Sequence, residues 1–239
     1  KEIKMLFLSR VMLIAVLPMI LLAAPEAAAS DESWETDLAT ALEKAAKENK
    51  PVLADFSGSD WCKWCKKLDE EVFSQEAFKK FAADSIITCV IDFPRDKSII
   101  PEDQAAKNKE YATKYGVRGY PTVYLLEPDG AAFLKTGYRP DGAEEYVKLI
   151  DSILNMRAKV LELEKKPVPE TAAALLEEIP EEALILRARL ILASFPEDDV
   201  AMRAEAAFNM INAGQDSDGN YRKYLEDVVD KDPRGYYRR

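Results

Sequence analysis

Between residues 34 and 154 the apolar positions switch repeatedly between two periods. Leu38, Ala41, Leu42, Ala45 and Ala46 recur at helical spacing with Glu43, Lys44, Lys47 and Glu48 opposite. That pattern predicts an amphipathic helix over 34–49, stopped by Asn49-Lys50-Pro51. Val52-Leu53-Ala54-Asp55-Phe56 is a short apolar run and reads as a central strand. A helix is expected over 61–72, then another over 75–83 with Ser74 as its N-cap. Residues 85–93 are so uniformly apolar that a strand buried on both faces is expected. A loop with Pro94 and Pro101 leads to a polar helix over 102–115, with Ala105, Ala106 and Tyr111 as its inward contacts. A turn over 116–121 enters a strand over 122–126. Pro128-Asp129-Gly130 then signals a hairpin, and 131–135 returns antiparallel. A helix over 141–154 closes the series. Helix and strand alternate, then a hairpin and a helix follow, which predicts an α/β fold with helices on both faces of a mixed sheet.

Past about residue 156 no strand pattern remains. Four short helices are expected over 168–179, 181–194, 198–213 and 220–229, broken by Pro180, Phe195-Pro196 and the stretch from Gly214 to Gly219. Residues 156–239 thus read as an all-α C-terminal region of adjacent antiparallel helices, its leucine and small-residue spacing open to a helical-hairpin repeat. At the other end, Lys1, Lys4 and Arg10 flank an apolar run from Val11 to Ala24, followed by Ala27-Ala28-Ala29. This is the pattern of a secretory signal peptide cut after Ala29. Pro18 and Pro25 leave the run short of the roughly 20 residues a spanning helix needs. The alternative is an uncleaved N-terminal anchor. The expected organisation is a signal peptide over 1–29, an α/β domain over 30–155 and a helical region over 156–239.

Composition narrows the chemistry. The net charge is −10 and no basic patch stands out, which argues against a nucleic-acid partner. The chain of 239 residues contains no histidine. Ser-His and Cys-His nucleophilic pairs, histidine metal sites and histidine pH switches are therefore excluded. Cysteine, carboxylates, lysine and tyrosine remain. Three cysteines are too few to staple a small domain.

Two of the three lie in Trp61-Cys62-Lys63-Trp64-Cys65. A structural disulfide here would close a very small loop and restrain little chain entropy. Zinc wants four Cys or His ligands, and the chain offers only one further cysteine. A redox pair fits better, because a strand, a turn and a helix in that order place Cys62 at a helix N-terminus. Unpaired N–H groups and the helix dipole favour a thiolate there. In that reading Cys62 attacks, Cys65 resolves, Lys63 adds positive charge and Trp64 covers the sulfurs. Cys89, mid-strand among apolar residues, reads as a buried inert thiol.

Residues 34–154 resemble the thioredoxin superfamily, and in particular secreted bacterial thioredoxin-like proteins. The resemblance rests on Phe56-Ser57-Gly58-Ser59-Asp60-Trp61-Cys62-Lys63-Trp64-Cys65-Lys66-Lys67 and on Tyr115-Gly116-Val117-Arg118-Gly119-Tyr120-Pro121-Thr122. It implies a thioredoxin-like sheet flanked by helices and a cis Tyr120–Pro121 bond facing Cys62. It also implies a substrate site formed by Trp61, Lys63, Trp64, Tyr120 and Pro121, with Gly137 in the groove. Asp55 falls where the family has a buried acid that moves the resolving cysteine's proton. No cofactor or metal is implied. The function implied is a periplasmic thiol–disulfide oxidoreductase, a reductase or isomerase of exported proteins, supplied with electrons by a membrane partner if it reduces. The alternative is a binding or chaperone module whose C-terminal helices grip a partner. Lys63-Trp64 replaces the Gly-Pro of thioredoxin itself and the turn is a residue longer, so substrate and direction do not carry over. The oligomeric state stays open, with the C-terminal helices as a candidate dimerisation element.

Overall fold

Capping decides where the first helix begins. In a computed structural model that describes residues 34–197, 199–216 and 218–231, α1 (Leu38–Glu48) starts at Leu38 and not at Trp34. The Asp37 carboxylate accepts the Thr40 N–H at 3.0 Å and fixes the start there. The chain before it is extended: the Glu35 N–H donates to Thr88 O at 2.9 Å, and the Val90 N–H donates to Glu35 O at 2.8 Å. Asn49, left-handed with φ 53°, ends the helix.

β1 (Val52–Ser57) is buried at every residue and lies inside a four-stranded sheet. With β2 (Ile87–Asp92), β3 (Thr122–Leu126) and β4 (Ala132–Thr136) the order is β2-β1-β3-β4. β2 runs parallel to β1, β3 antiparallel to β1, and β4 antiparallel to β3. β2 is not buried on both faces as expected. Ile87, Cys89 and Ile91 are buried while Thr88, Val90 and Asp92 are half-exposed. Val90 lines a cavity beside the disulfide.

α2 (Lys63–Leu68) runs on into a π-helical turn, Asp69–Phe73. Ser74 closes that turn, its N–H donating to Asp69 O at 2.8 Å and its hydroxyl to Asp69 Oδ1 at 3.2 Å. It is therefore not the N-cap of α3 (Glu76–Ser85), whose cap position is Gln75. On α4 (Glu102–Lys114), Ala105 and Ala106 are exposed and Asn108 is buried instead. Its amide donates to Asp92 O at 2.8 Å and accepts from Gln104 Nε2 at 2.7 Å. A polar helix has little apolar area to bury, so two oriented amide bonds choose its docking face.

α5 (Gly142–Lys165) continues well beyond Leu154; Val160 is as firmly buried as Ile150 and Ile153, and Leu163 is buried too. Four further helices follow among the described residues: α6 (Pro169–Glu178), α7 (Leu184–Ser194), α8 (Val200–Asn212) and α9 (Asn220–Asp230). The α6–α7 and α7–α8 joints are built alike. Arg187 Nη1 donates to Leu176 O and Ile179 O, both at 2.7 Å. Arg203 Nη1 donates to Leu192 O at 3.0 Å and Phe195 O at 2.9 Å. In each case a guanidinium reaches eleven and eight residues back to carbonyls that the preceding helix end leaves unpaired.

These helices share the core of the sheet. Leu186 and Leu190 of α7 join the cluster holding Leu53, Leu125 and Ile150, while Ile185 and Ala188 join the one holding Val52, Tyr124 and Leu126. α7 thus lies across the β4 edge and feeds both faces. A partly buried ion network sits beside it. Arg157 forms a salt bridge with Glu127, Arg189 Nη1 donates to Glu127 Oε1 at 2.9 Å, and Arg189 holds Glu164 through two bonds of 2.8 Å. Gln215 accepts the Ala132 N–H at 2.8 Å. Gly214, with φ +73°, comes so close to the end of α4 that an added Cβ would lie 2.4 Å from Lys114 O.

Among the described residues no helix is long and apolar enough to cross a membrane. The expected signal peptide over 1–29 lies outside the described residues.

Candidate active site

The turn between β1 and α2 carries the cysteines, and two carboxylates tie it down. Asp92 accepts the Ser59 N–H at 2.8 Å and the Ser59 hydroxyl at 2.6 Å. Asp60 accepts the Arg95 N–H at 3.0 Å and the Asp96 N–H at 3.0 Å, and those bonds hold its carboxyl below the usual range. Gly58 is needed because the Trp61 ring packs on it: an added Cβ would lie 2.7 Å from the indole. The indole N–H donates to Phe93 O at 2.8 Å, and the Arg95 guanidinium sits 4.7 Å from the ring centroid.

Cys62 and Cys65 are joined by a disulfide with a Cα–Cα distance of 5.2 Å. Cys62 is the N-cap of α2, and its sulfur accepts the Cys65 N–H at 3.2 Å. Both cysteines are 4% exposed. Tyr120–Pro121 is a cis peptide bond, and the Tyr120 ring meets Trp61 edge-on at 5.7 Å, at the disulfide end of the sheet. A Cβ on Gly137 would lie 3.0 Å from Pro121 O, so the chain leaving β4 passes close against that proline.

On the other side Cys65 shares a cavity of about 250 Å³ with Asp55, Ser57, Asp69, Trp34 and Val90. Asp55 is 5% exposed and its Oδ1 has no hydrogen-bond partner. Burial pushes its carboxyl up to about 7, the Ser57 hydroxyl partly offsets this, and the Asp69 and Asp92 charges add to it. An acid that changes charge near neutral pH, in one cavity with a sulfur, can exchange a proton with that sulfur. Cys89 lies apart from this group, buried in β2, and burial raises its thiol far above neutrality.

Of the residues read from the sequence, Trp61, Cys62, Cys65, Tyr120, Pro121 and Asp55 gather at this end of the sheet. Lys63 is exposed. Trp64 is 52% exposed and packs against Tyr138 at 5.2 Å. The sequence reading missed Tyr138, Glu71 and Arg95. Tyr138 adjoins Gly137, and Lys67 and Glu71 are spaced i,i+4, but no local signal joins the two pairs.

Fold and site are those of a dithiol–disulfide exchanger. Residues 38–153 match the thioredoxin-like domain family. The chain is 35% identical over 130 residues to the disulfide bond reductase DsbH of Chlamydia pneumoniae, covering 54% of this chain and 77% of that one. It is 28% identical over 89 residues to the thiol:disulfide interchange protein DsbD of Yersinia pestis, covering 36% of this chain and 13% of that one. The solved structure of a DsbH oxidoreductase superposes with a TM-score of 0.50 at 33% identity, covering 56% of this chain and 92% of that one. The chain belongs to the thioredoxin-like family and is a thiol–disulfide oxidoreductase.

Proposed function

We propose that the chain is a disulfide reductase of exported proteins that works through Cys62 and Cys65. The observation that carries this reading is the cavity shared by Cys65 and Asp55, whose carboxyl is raised to about 7. The 35% identical relative being named a disulfide bond reductase favours reduction over isomerisation. In the dithiol form, the Cys62 thiolate is stabilised by the N–H groups at the start of α2. It attacks one sulfur of a substrate disulfide. A Cys62–substrate bond forms, the substrate S–S bond breaks, and the first substrate thiolate leaves and takes up a proton. Asp55 then takes the Cys65 proton. The Cys65 thiolate attacks Cys62 Sγ and expels the second substrate thiolate, which is protonated in turn. Two electrons have passed to the substrate and the Cys62–Cys65 disulfide remains. A further cycle needs a dithiol donor, which we assign to a membrane partner. Trp61, Tyr120 and Pro121 border the site where the substrate strand would lie, with Lys63 and Trp64 on its α2 side. Residues 1–29 would direct export to the periplasm.

Cys65→Ser should trap the Cys62–substrate mixed disulfide on a non-reducing gel, and Cys62→Ser should abolish insulin reduction. Equilibration with glutathione should show a pair more reducing than the glutathione couple. A pair that stays a dithiol against a mostly oxidised glutathione buffer would sink the reductase reading, because it would mark an oxidant.

A further inference from the structure

Beside the disulfide, four side chains from three segments form one cluster. The Tyr138 hydroxyl donates to Glu71 Oε2 at 2.5 Å. Lys67 pairs with Glu71 Oε1 at 3.4 Å, and its ammonium lies 5.6 Å from the Trp64 ring centroid and 5.1 Å from that of Tyr138. The two rings are 5.2 Å apart. The hydroxyl of Tyr138, with Lys67 behind it, holds the Glu71 carboxyl below its usual range.

Folding alone gives little reason for this arrangement. With Trp64 52% exposed, about half of the indole contributes nothing to burial, yet the ring is positioned by an anchored tyrosine and a lysine. An aromatic surface held in place and left open is the form that binding anchors take. Cations alone would also suit an open indole face, but the local charge opposes them. Lys63 is exposed and has no ion-pair partner among the described residues. Lys66 donates to a neutral carbonyl, Asp60 O, at 2.8 Å and so keeps its charge unneutralised. Arg95, across the site, stands beside the Asp60 carboxylate and is partly offset by it. This basic rim stands on a chain of net charge −10.

We propose that Trp64 and Tyr138 form a specificity wall for the substrate polypeptide, taking an apolar or aromatic side chain next to its reactive cysteine, with Lys63 and Lys66 selecting an acidic residue beside it. This rests on the exchange chemistry at Cys62. Trp64 and Tyr138 act on which disulfide is chosen, and Glu71 and Lys67 are positioning residues that act through them.

The test uses the full chain, reduced and recycled with dithiothreitol, and two cysteine peptides carried as mixed disulfides with thionitrobenzoate. In one the cysteine is followed by Phe-Asp, in the other by Ser-Lys. Cys62 attacks the peptide sulfur and thionitrobenzoate leaves; Cys65 then displaces the peptide thiolate and the chain is left oxidised. The readout is the ratio of kcat/KM for the two peptides within each variant, which cancels any change in the potential of the pair. The unsubstituted chain should prefer Phe-Asp about tenfold or more, mainly through KM. Trp64→Ala and Tyr138→Ala should each bring the ratio below about threefold, and Lys63→Glu should lower it through the acidic position alone. Tyr138→Phe, which keeps the ring and loses the Glu71 bond, should fall between. A ratio near one in the unsubstituted chain, or a ratio unchanged in both alanine variants, overturns the wall while leaving the exchange reading intact. Failure to exchange with either peptide or with the bis(thionitrobenzoate) disulfide overturns both.

Discussion

Asp55 is the carboxylic acid whose environment departs furthest from its chemistry in water. Its carboxyl is raised from 3.8 to about 7, chiefly by burial. The folded state therefore holds a proton that the unfolded chain releases at lower pH. Stability contributed by the neutral acid is complete below pH 4 and is lost as the pH rises towards 7. Asp55→Asn should remove that slope and stabilise the oxidised protein at pH 8 by on the order of 2–4 kcal/mol, read as a higher urea midpoint with unchanged steepness. On the proposed mechanism the same substitution should slow insulin reduction by about 10²-fold and remove the rise in rate near pH 7. A more stable variant with an unaltered pH–rate profile would separate the buried acid from the chemistry. The cysteines were legible because their reactivity is written into three adjacent features: an apolar run, a turn and a helix start. Asp55 was legible only by its place in that run. Tyr138 and Glu71 lie 67 residues apart in sequence, and only folding brings them together.

At the scale of elements, the hydrophobic period located every strand, and every helix but one, within a few residues; α5 runs on to Lys165, well past its expected end at Leu154. It failed where polar groups set the boundary. Asp37 rather than apolar spacing starts α1, Ser74 closes a π-helical turn rather than opening α3, and Asn108 rather than two alanines orients α4. The joints between C-terminal helices follow the same rule, since each is fixed by one guanidinium on two carbonyls. Arg203→Ala would leave Leu192 O and Phe195 O without that donor. The expected cost is about 1–3 kcal/mol, measured by chemical denaturation. The Gly214 contact is less forgiving. Gly214→Ala places a methyl 2.4 Å from Lys114 O and 2.6 Å from the Tyr115 carbonyl carbon, at a φ of +73°. Backbone on both sides cannot give way cheaply, so a loss of at least ~2 kcal/mol is expected. A midpoint shift smaller than that of Arg203→Ala would show that the loop relaxes.

At the scale of the molecule, the change of pattern near residue 156 marks a change of architecture but not a break in packing. α5 passes through it, both apolar clusters draw on helices from beyond it, and Glu127 meets Arg157 and Arg189 across it. A hydropathy pattern reports what each segment buries and not what it is buried against, which is why this union was not legible. All three tryptophans lie at or before Trp64, whereas α6 to α9 report mainly through far-UV circular dichroism. The two signals should therefore trace one urea transition with a common midpoint. Separate midpoints would mean that the helices fold on a sheet that stands alone. Ending the chain at Leu154 removes both arginines and the Gln215 acceptor, and should leave a product that binds hydrophobic dye.

The two borders of the sheet carry a further consequence. β2 is met by the extended chain at Glu35, and β4 is covered by α7 and by the Gln215 side chain on the Ala132 N–H. On the proposed function the chain would meet partly unfolded polypeptides with strands seeking a free ladder to join, and an open border would recruit them into growing aggregates. Here the helices beyond β4 act as a selvedge. They finish the fabric where it would otherwise fray into its neighbours.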